Sequence, residues 1–172
     1  MWVVSLIAIL ALVFSFVGGL KEGVVKSFTT LVVVLIALPL TGLSYHLLAG
    51  VLSFLPGNWP NLAGFLITWG VISAILQLIF LAPRKALQIA WGGGLPFRPI
   101  GGLLSTLAAA IGLVALTMVF LAYPIWDWLE QAVINSGVLA WLVTHLGFVQ
   151  SLLPDELGQE AIFAKLWLLL HV

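Results

Sequence analysis

The side chains best suited to acid-base chemistry in this sequence are few and lie far apart. The three histidines are His46, His145 and His171, and there is no His-Glu-x-x-His motif, histidine pair or nucleophile elbow. Asp127 and Glu130 would share a helical face, and with His145 they could form a proton or metal site. We favour the other interpretation, in which this trio belongs to a solvated polar face. We therefore predict no catalytic residue, no metal and no cofactor, and a protein that is not an enzyme.

A glycine run from Gly92 to Gly94 is the next pattern that could carry chemistry. Glycine-rich loops can bind phosphate through backbone N–H groups, but the Lys and Ser/Thr of the P-loop are missing and no strand precedes the run. The run instead predicts a flexible hinge into the hydrophobic segment that follows it.

The composition indicates a membrane protein. Of the 172 residues, 63% are hydrophobic and 7% are charged, far from the balance of an average globular domain. Six basic and six acidic residues give no net charge, so there is no positive field to hold nucleic acid. Since there is no cysteine, disulfides, thiolate catalysis and cysteine metal sites are excluded.

Four apolar runs must provide the scaffold, and none of them contains a charged residue: Trp2 to Leu20, Phe28 to Leu48, Leu62 to Ala82 and Ile100 to Tyr123. As helices they would be roughly 28 to 36 Å long, enough to cross a hydrocarbon core of about 30 Å. The sequence therefore predicts an all-α membrane protein, with a four-span transmembrane bundle in residues 1–124.

The tail, residues 125–172, follows a different pattern. A narrow polar stripe on an otherwise apolar helix predicts an interfacial amphipathic helix, or one that closes over the bundle. Residues 138–149 are too few to cross the bilayer, and a last helix is expected from Asp155 to Leu170. The stripe consists of Asp127, Glu130, Gln131 and Asn135.

The basic residues predict the orientation. All but one of them follow the first or the third run, whereas the break at 49–61 is uncharged. Because short cytoplasmic loops retain Lys and Arg, we expect the first and third breaks inside and both termini outside. The same side chains could contact anionic lipid headgroups. They are Lys21, Lys26, Arg84, Lys85 and Arg98.

Small residues recur at helical spacing in the first and fourth runs. Lipid gives helices little hydrophobic reason to associate, so such stripes indicate close helix packing, although small residues are also common in membrane helices generally. In the second run, Pro39 predicts a kink. The stripe residues are Ala11, Ser15, Gly19, Gly23, Gly101, Ser105 and Ala109.

The segment from Gly19 to Lys26 resembles the first signature of the colicin V production protein family, a Gly-x-x-x-Gly turn with basic residues between two spans. The segment from Arg98 to Gly101 is similar to the Arg-x-x-Gly start of that family's fourth span. The sequence departs from the family at Ser5 and Phe97, where members often carry Asp.

The resemblance implies a multi-pass protein of the bacterial inner membrane that is associated with colicin V production or export and with envelope tolerance. We expect a scaffold or accessory factor with an envelope or export protein as partner. The alternative is a small channel or transporter, as a homo-oligomer or alone, in which the Pro39 kink and the hydroxyl groups of the second span line a path.

Overall fold

The computed structural model describes residues 2–90, 98–125 and 127–153, and in these ranges all regular structure is helical. Four helices are long and apolar enough to cross a membrane, which confirms the prediction of an all-α, four-span protein. The elements are α1 (Trp2–Glu22), α2 (Val24–Val51), α3 (Trp59–Ile79), α4 (Leu81–Ala90), α5 (Arg98–Ala122), α6 (Asp127–Ile134), α7 (Gly137–His145) and a 3₁₀ helix (Gly147–Leu152).

Each spanning helix extends beyond its charge-free run at one end or both, but α3 ends at Ile79, three residues before the predicted end of its run, and α5 ends one residue early at Ala122. Gly23, with φ of 80°, separates α1 from α2, so α2 begins at Val24 and carries Lys26 in its first turn. Arg98 is likewise the first residue of α5. A charge marks where a helix leaves the hydrocarbon, but a helix can continue into the headgroup region. The break at Gly23 requires glycine because its φ is in the left-handed range.

The four spans pack in the order α1, α5, α2, α3, so neighbours in the sequence are not all neighbours in space. Helix α5 lies between α1 and α2 and is the most buried span. Helices α2 and α3 form an antiparallel pair in which Gly64 packs on Ala49, where a Cβ on Gly64 would lie 2.9 Å from the Ala49 nitrogen.

The described part of the tail packs against the end of the bundle where α1 begins. Val133, Leu139, Val143 and Val149 are buried and join the core formed by the spans. On the polar stripe, the Asn135 amide donates to the Gln131 carbonyl at 2.7 Å, and both side chains are exposed. The described tail residues thus cover the bundle end, while the predicted hinge (92–94) and last helix (155–170) lie outside the described residues.

Ser136 attaches this tail to α1. Its buried hydroxyl caps α7 by accepting from the Leu139 N–H at 3.4 Å, and it forms a 2.9 Å hydrogen bond with the Ser5 hydroxyl. Ser136→Ala removes both bonds and leaves Ser5 without this partner. We expect a loss of about 1 to 2 kcal/mol in the free energy of unfolding.

The measurement is thermal or denaturant unfolding of the detergent-purified protein. Ser151→Ala is the matched control, because the exposed Ser151 hydroxyl bonds only to the nearby Phe148 carbonyl among the described residues. Equal stability of Ser136→Ala and the wild type would show that the tail is not held through this residue.

Candidate functional site

The closest approach of two spans is between α1 and α5, at Gly19 and Gly101. A Cβ on Gly19 would lie 2.4 Å from the Gly101 carbonyl oxygen, and a Cβ on Gly101 would lie 2.7 Å from the Gly19 oxygen. Gly23 belongs to the same contact, since its carbonyl carbon would be 2.8 Å from that Gly101 Cβ. Backbone therefore packs on backbone here, and only glycine fits.

Ser15 and Ser105 hold the two helices together one turn further along. The Ser15 hydroxyl donates to the Ser105 carbonyl at 2.8 Å, and the two hydroxyl oxygens are 2.9 Å apart. Because a hydroxyl has one proton, donation by Ser15 to the carbonyl makes Ser105 the donor in the second bond. Hydrogen bonds between helices are worth roughly 0.6 to 2 kcal/mol in membranes.

Beyond this serine pair the small-residue stripes separate and line a cavity of about 340 Å³ that is open on one side. The predicted stripe residues Ala11 and Ala109 lie in its wall, next to Ser15 and Ser105. The structure therefore places all seven stripe residues between α1 and α5. The three glycines and two serines are in contact across the two helices, and the two alanines line the cavity. The remaining lining residues are Thr30, Val34, Trp69, Ala108, Gly112, Leu113 and Leu116.

Trp69 of α3 also lines this cavity, a role that was not predicted from the sequence. Its ring packs over Gly112, where a Cβ would lie 3.3 Å from the nearest ring carbon. The buried indole nitrogen has no hydrogen-bond partner among the described residues. Nothing next to Trp69 in its apolar run shows that it lines a cavity. Gly112, which leaves room for the ring, is the residue from which a large side chain packing on α5 could have been predicted.

Pro39 lies within α2, which continues through it as one helix to Val51. The hydroxyls of Thr29 and Thr30 donate to the carbonyls one turn earlier on α2, to Val25 at 2.7 Å and to Lys26 at 3.0 Å. These two hydroxyls are therefore engaged by their own helix.

Polar and aromatic side chains pack together where α2 and α5 end, which is the end of the bundle that the described tail covers. The fully buried Tyr45 shares a 2.8 Å hydrogen bond between hydroxyls with Tyr123, and its ring packs edge-on against Phe65. The Asn58 amide donates to the Pro124 carbonyl at 2.9 Å and so ties the loop before α3 to the end of α5.

The five predicted basic residues lie at the end of the bundle where α1 and α3 finish and where α2 and α5 begin. Lys26 pairs with Glu22 across the Gly23 break, and this partly exposed pair adds little stability. Counting only residues that the structure describes, these five cations and the Glu22 carboxylate give this basic end a net charge of +4. They are Lys21, Lys26, Arg84, Lys85 and Arg98.

The structure places the acid-base candidates apart from the cavity. His46 is exposed and its ring lies 3.9 Å from that of Tyr45, and His145 is exposed and stacks on Trp141 of its own helix. Within residues 2–90, 98–125 and 127–153, no three His, Asp or Glu side chains could hold a metal together. His171 and the Asp127 side chain lie outside what the structure describes.

Comparison with protein-family models matches residues 4–147 to the family described as colicin V production protein. This range includes the α1–α5 contact, the cavity, the basic end and most of the described tail. No curated protein and no solved structure matches the chain.

Proposed function

The chain belongs to the colicin V production protein family, and from this premise we propose that it is a non-enzymatic scaffold or accessory factor in the bacterial inner membrane. Its role is in toxin production or export, or in envelope homeostasis. Its partners are the lipid bilayer and an envelope or export protein, and a second copy of the chain is a further candidate.

The observation that carries this proposal is the position of the charges relative to the spans. Lys21, Glu22, Lys26 and Arg98 all lie in the terminal turns of their helices, and α3 has no charged residue. Pumps and proton relays use ionisable groups within the membrane, paired with each other or facing a water-filled path. Spans with charge only at their ends favour a protein that acts through its surfaces over one that moves ions or protons.

The net charge of the basic end supports an orientation. Under the positive-inside rule this end lies in the cytoplasm, so that both termini lie outside. Reporter fusions at Gly57, Gly93 and the C-terminus should report outside, inside and outside. The opposite set of results would contradict the proposed orientation.

The role itself is tested by complementation. A colicin V-producing strain that lacks its own family member should recover secreted toxin activity when it expresses this chain. Because we propose no catalysis, Asp127→Ala and His145→Ala should restore secretion as well as the wild type does. Secretion that is unaffected by loss or return of the protein would contradict a role in export, and loss of function in either variant would contradict a non-enzymatic role.

A further inference from the structure

The open cavity between α1, α2 and α5 lies inside the membrane-spanning part of the bundle. Helix α5 forms its floor, and the wall residues from the other helices are Ala11, Ser15, Thr30, Val34 and Trp69. Helices α1 and α2 touch little, so they leave the space above α5 uncovered. In a bilayer such a space must be filled.

Water is a poor occupant for this cavity. A buried water needs two to four polar partners. The hydroxyls of Ser15 and Thr30 already donate to carbonyls at 2.8 and 3.0 Å, so the indole N–H of Trp69 is the one lining donor without a partner among the described residues. The rest of the lining is mainly aliphatic. A helix is also a poor occupant, because its diameter with side chains is about 10 to 12 Å and the cavity volume is only about 340 Å³. A single hydrocarbon chain satisfies both limits.

The charges at the basic end indicate which lipid supplies that chain. Lys26, Thr30 and Val34 follow each other at intervals of four residues, so the Lys26 side chain stands on the α2 face that lines the cavity. Arg98 is seven residues, or about two turns, before Ser105 on the cavity face of α5. Lys26 is paired with Glu22, which leaves the exposed Arg98 as the main candidate for a headgroup.

We propose that this cavity is a binding site for one acyl chain of an anionic phospholipid, whose headgroup phosphate is held by Arg98 with help from Lys26. The ligand is selected by charge at the headgroup and by shape in the cavity. This inference is independent of the proposed scaffold role, since it concerns what the bundle binds and not which pathway it serves.

The fluorescence of Trp69 reports whether an acyl chain occupies the cavity, because this residue is part of the lining. Brominated acyl chains quench tryptophan fluorescence on contact. The chain has eight tryptophans, so the fluorescence of Trp69 is obtained by subtracting the fluorescence of Trp69→Phe from that of the wild type. This variant should fold, because it keeps a ring and removes an indole N–H that has no partner among the described residues. The full chain is reconstituted in vesicles that contain dibromo-phosphatidylglycerol in phosphatidylcholine, or dibromo-phosphatidylcholine in phosphatidylglycerol.

We expect the Trp69 signal to be half-quenched at about a fivefold lower mole fraction of the brominated anionic lipid than of the brominated neutral one, as one nearby cation predicts. Arg98→Gln should abolish this preference. Lys85→Gln is the matched control: it removes a charge at the same end, but from α4, which does not line the cavity, and it should keep most of the preference.

Occupation of the cavity is tested separately. Ala109→Leu fills the floor and should reduce quenching of Trp69 by either lipid, whereas the same change at the exposed Ala74 of α3 should not. If quenching follows mole fraction equally for both lipids in the wild type, the headgroup site does not exist. If Ala109→Leu folds and is quenched like Ala74→Leu, the chain does not enter the cavity.

Discussion

Replacing Gly19 by Leu will separate α1 from α5 and destabilise the protein by about 3 kcal/mol, the upper part of the range for overpacking a close contact. The added Cβ alone would lie 2.4 Å from the Gly101 oxygen, which is backbone and cannot move aside as a flexible side chain could. Displacing the helices also breaks the hydrogen bonds between Ser15 and Ser105. The measurement is thermal unfolding in detergent, compared with the wild type.

The neighbouring residue supplies a matched control. A Cβ on Gly18 would meet nothing within 4 Å, so Gly18→Leu adds the same side chain to the same helix without entering the contact. We expect its stability to lie within about 0.5 kcal/mol of the wild type, as for surface substitutions in general. Equal losses in the two variants would show that α1 and α5 do not pack through Gly19.

The second large effect is expected at Tyr45, which is fully buried among Phe65, Tyr123 and their neighbours. Tyr45→Ala should cost about 3 kcal/mol, the lower end of the range for aromatic residues in cores, because hydrocarbon and not water surrounds the unfolded helices. Tyr45→Phe keeps the ring and loses the 2.8 Å bond to Tyr123, so it should cost about 1 kcal/mol.

These two variants separate packing from hydrogen bonding at the same position. Tyr123→Phe removes the same bond from the other side and should match Tyr45→Phe in the unfolding temperature. If Tyr45→Phe were as unstable as Tyr45→Ala, the hydroxyl and not the ring would be the main contribution of this residue.

The spans could be predicted from the sequence because transfer into lipid depends on composition along a helix, which a charge-free run such as 62–82 displays directly. The packing stripes were also visible, since Gly19 and Gly101 recur with other small residues at helical spacing. The partner of each stripe was less evident. A stripe records that something packs closely on it, but not which helix does so.

Two features could not be predicted because they depend on neighbours far away in the sequence. Val149 belongs to a segment too short to cross the bilayer, and it is fully buried only because the ends of the spans lie beneath it. Trp69 lines a cavity because three other helices leave that space open. Periodicity within one segment does not show which distant helices pack on it or leave space beside it.

The contact between α1 and α5 also has a consequence for the order of assembly. Ser15 and Ser105 are 90 residues apart in the chain, and Ser5 and Ser136 are 131 apart. During synthesis α1 enters the bilayer first, while α2 and α3 can pair as soon as both are inserted. Until α5 is made, α1 stands in the membrane with its glycine face unpaired, and during this interval it is most open to association with another chain.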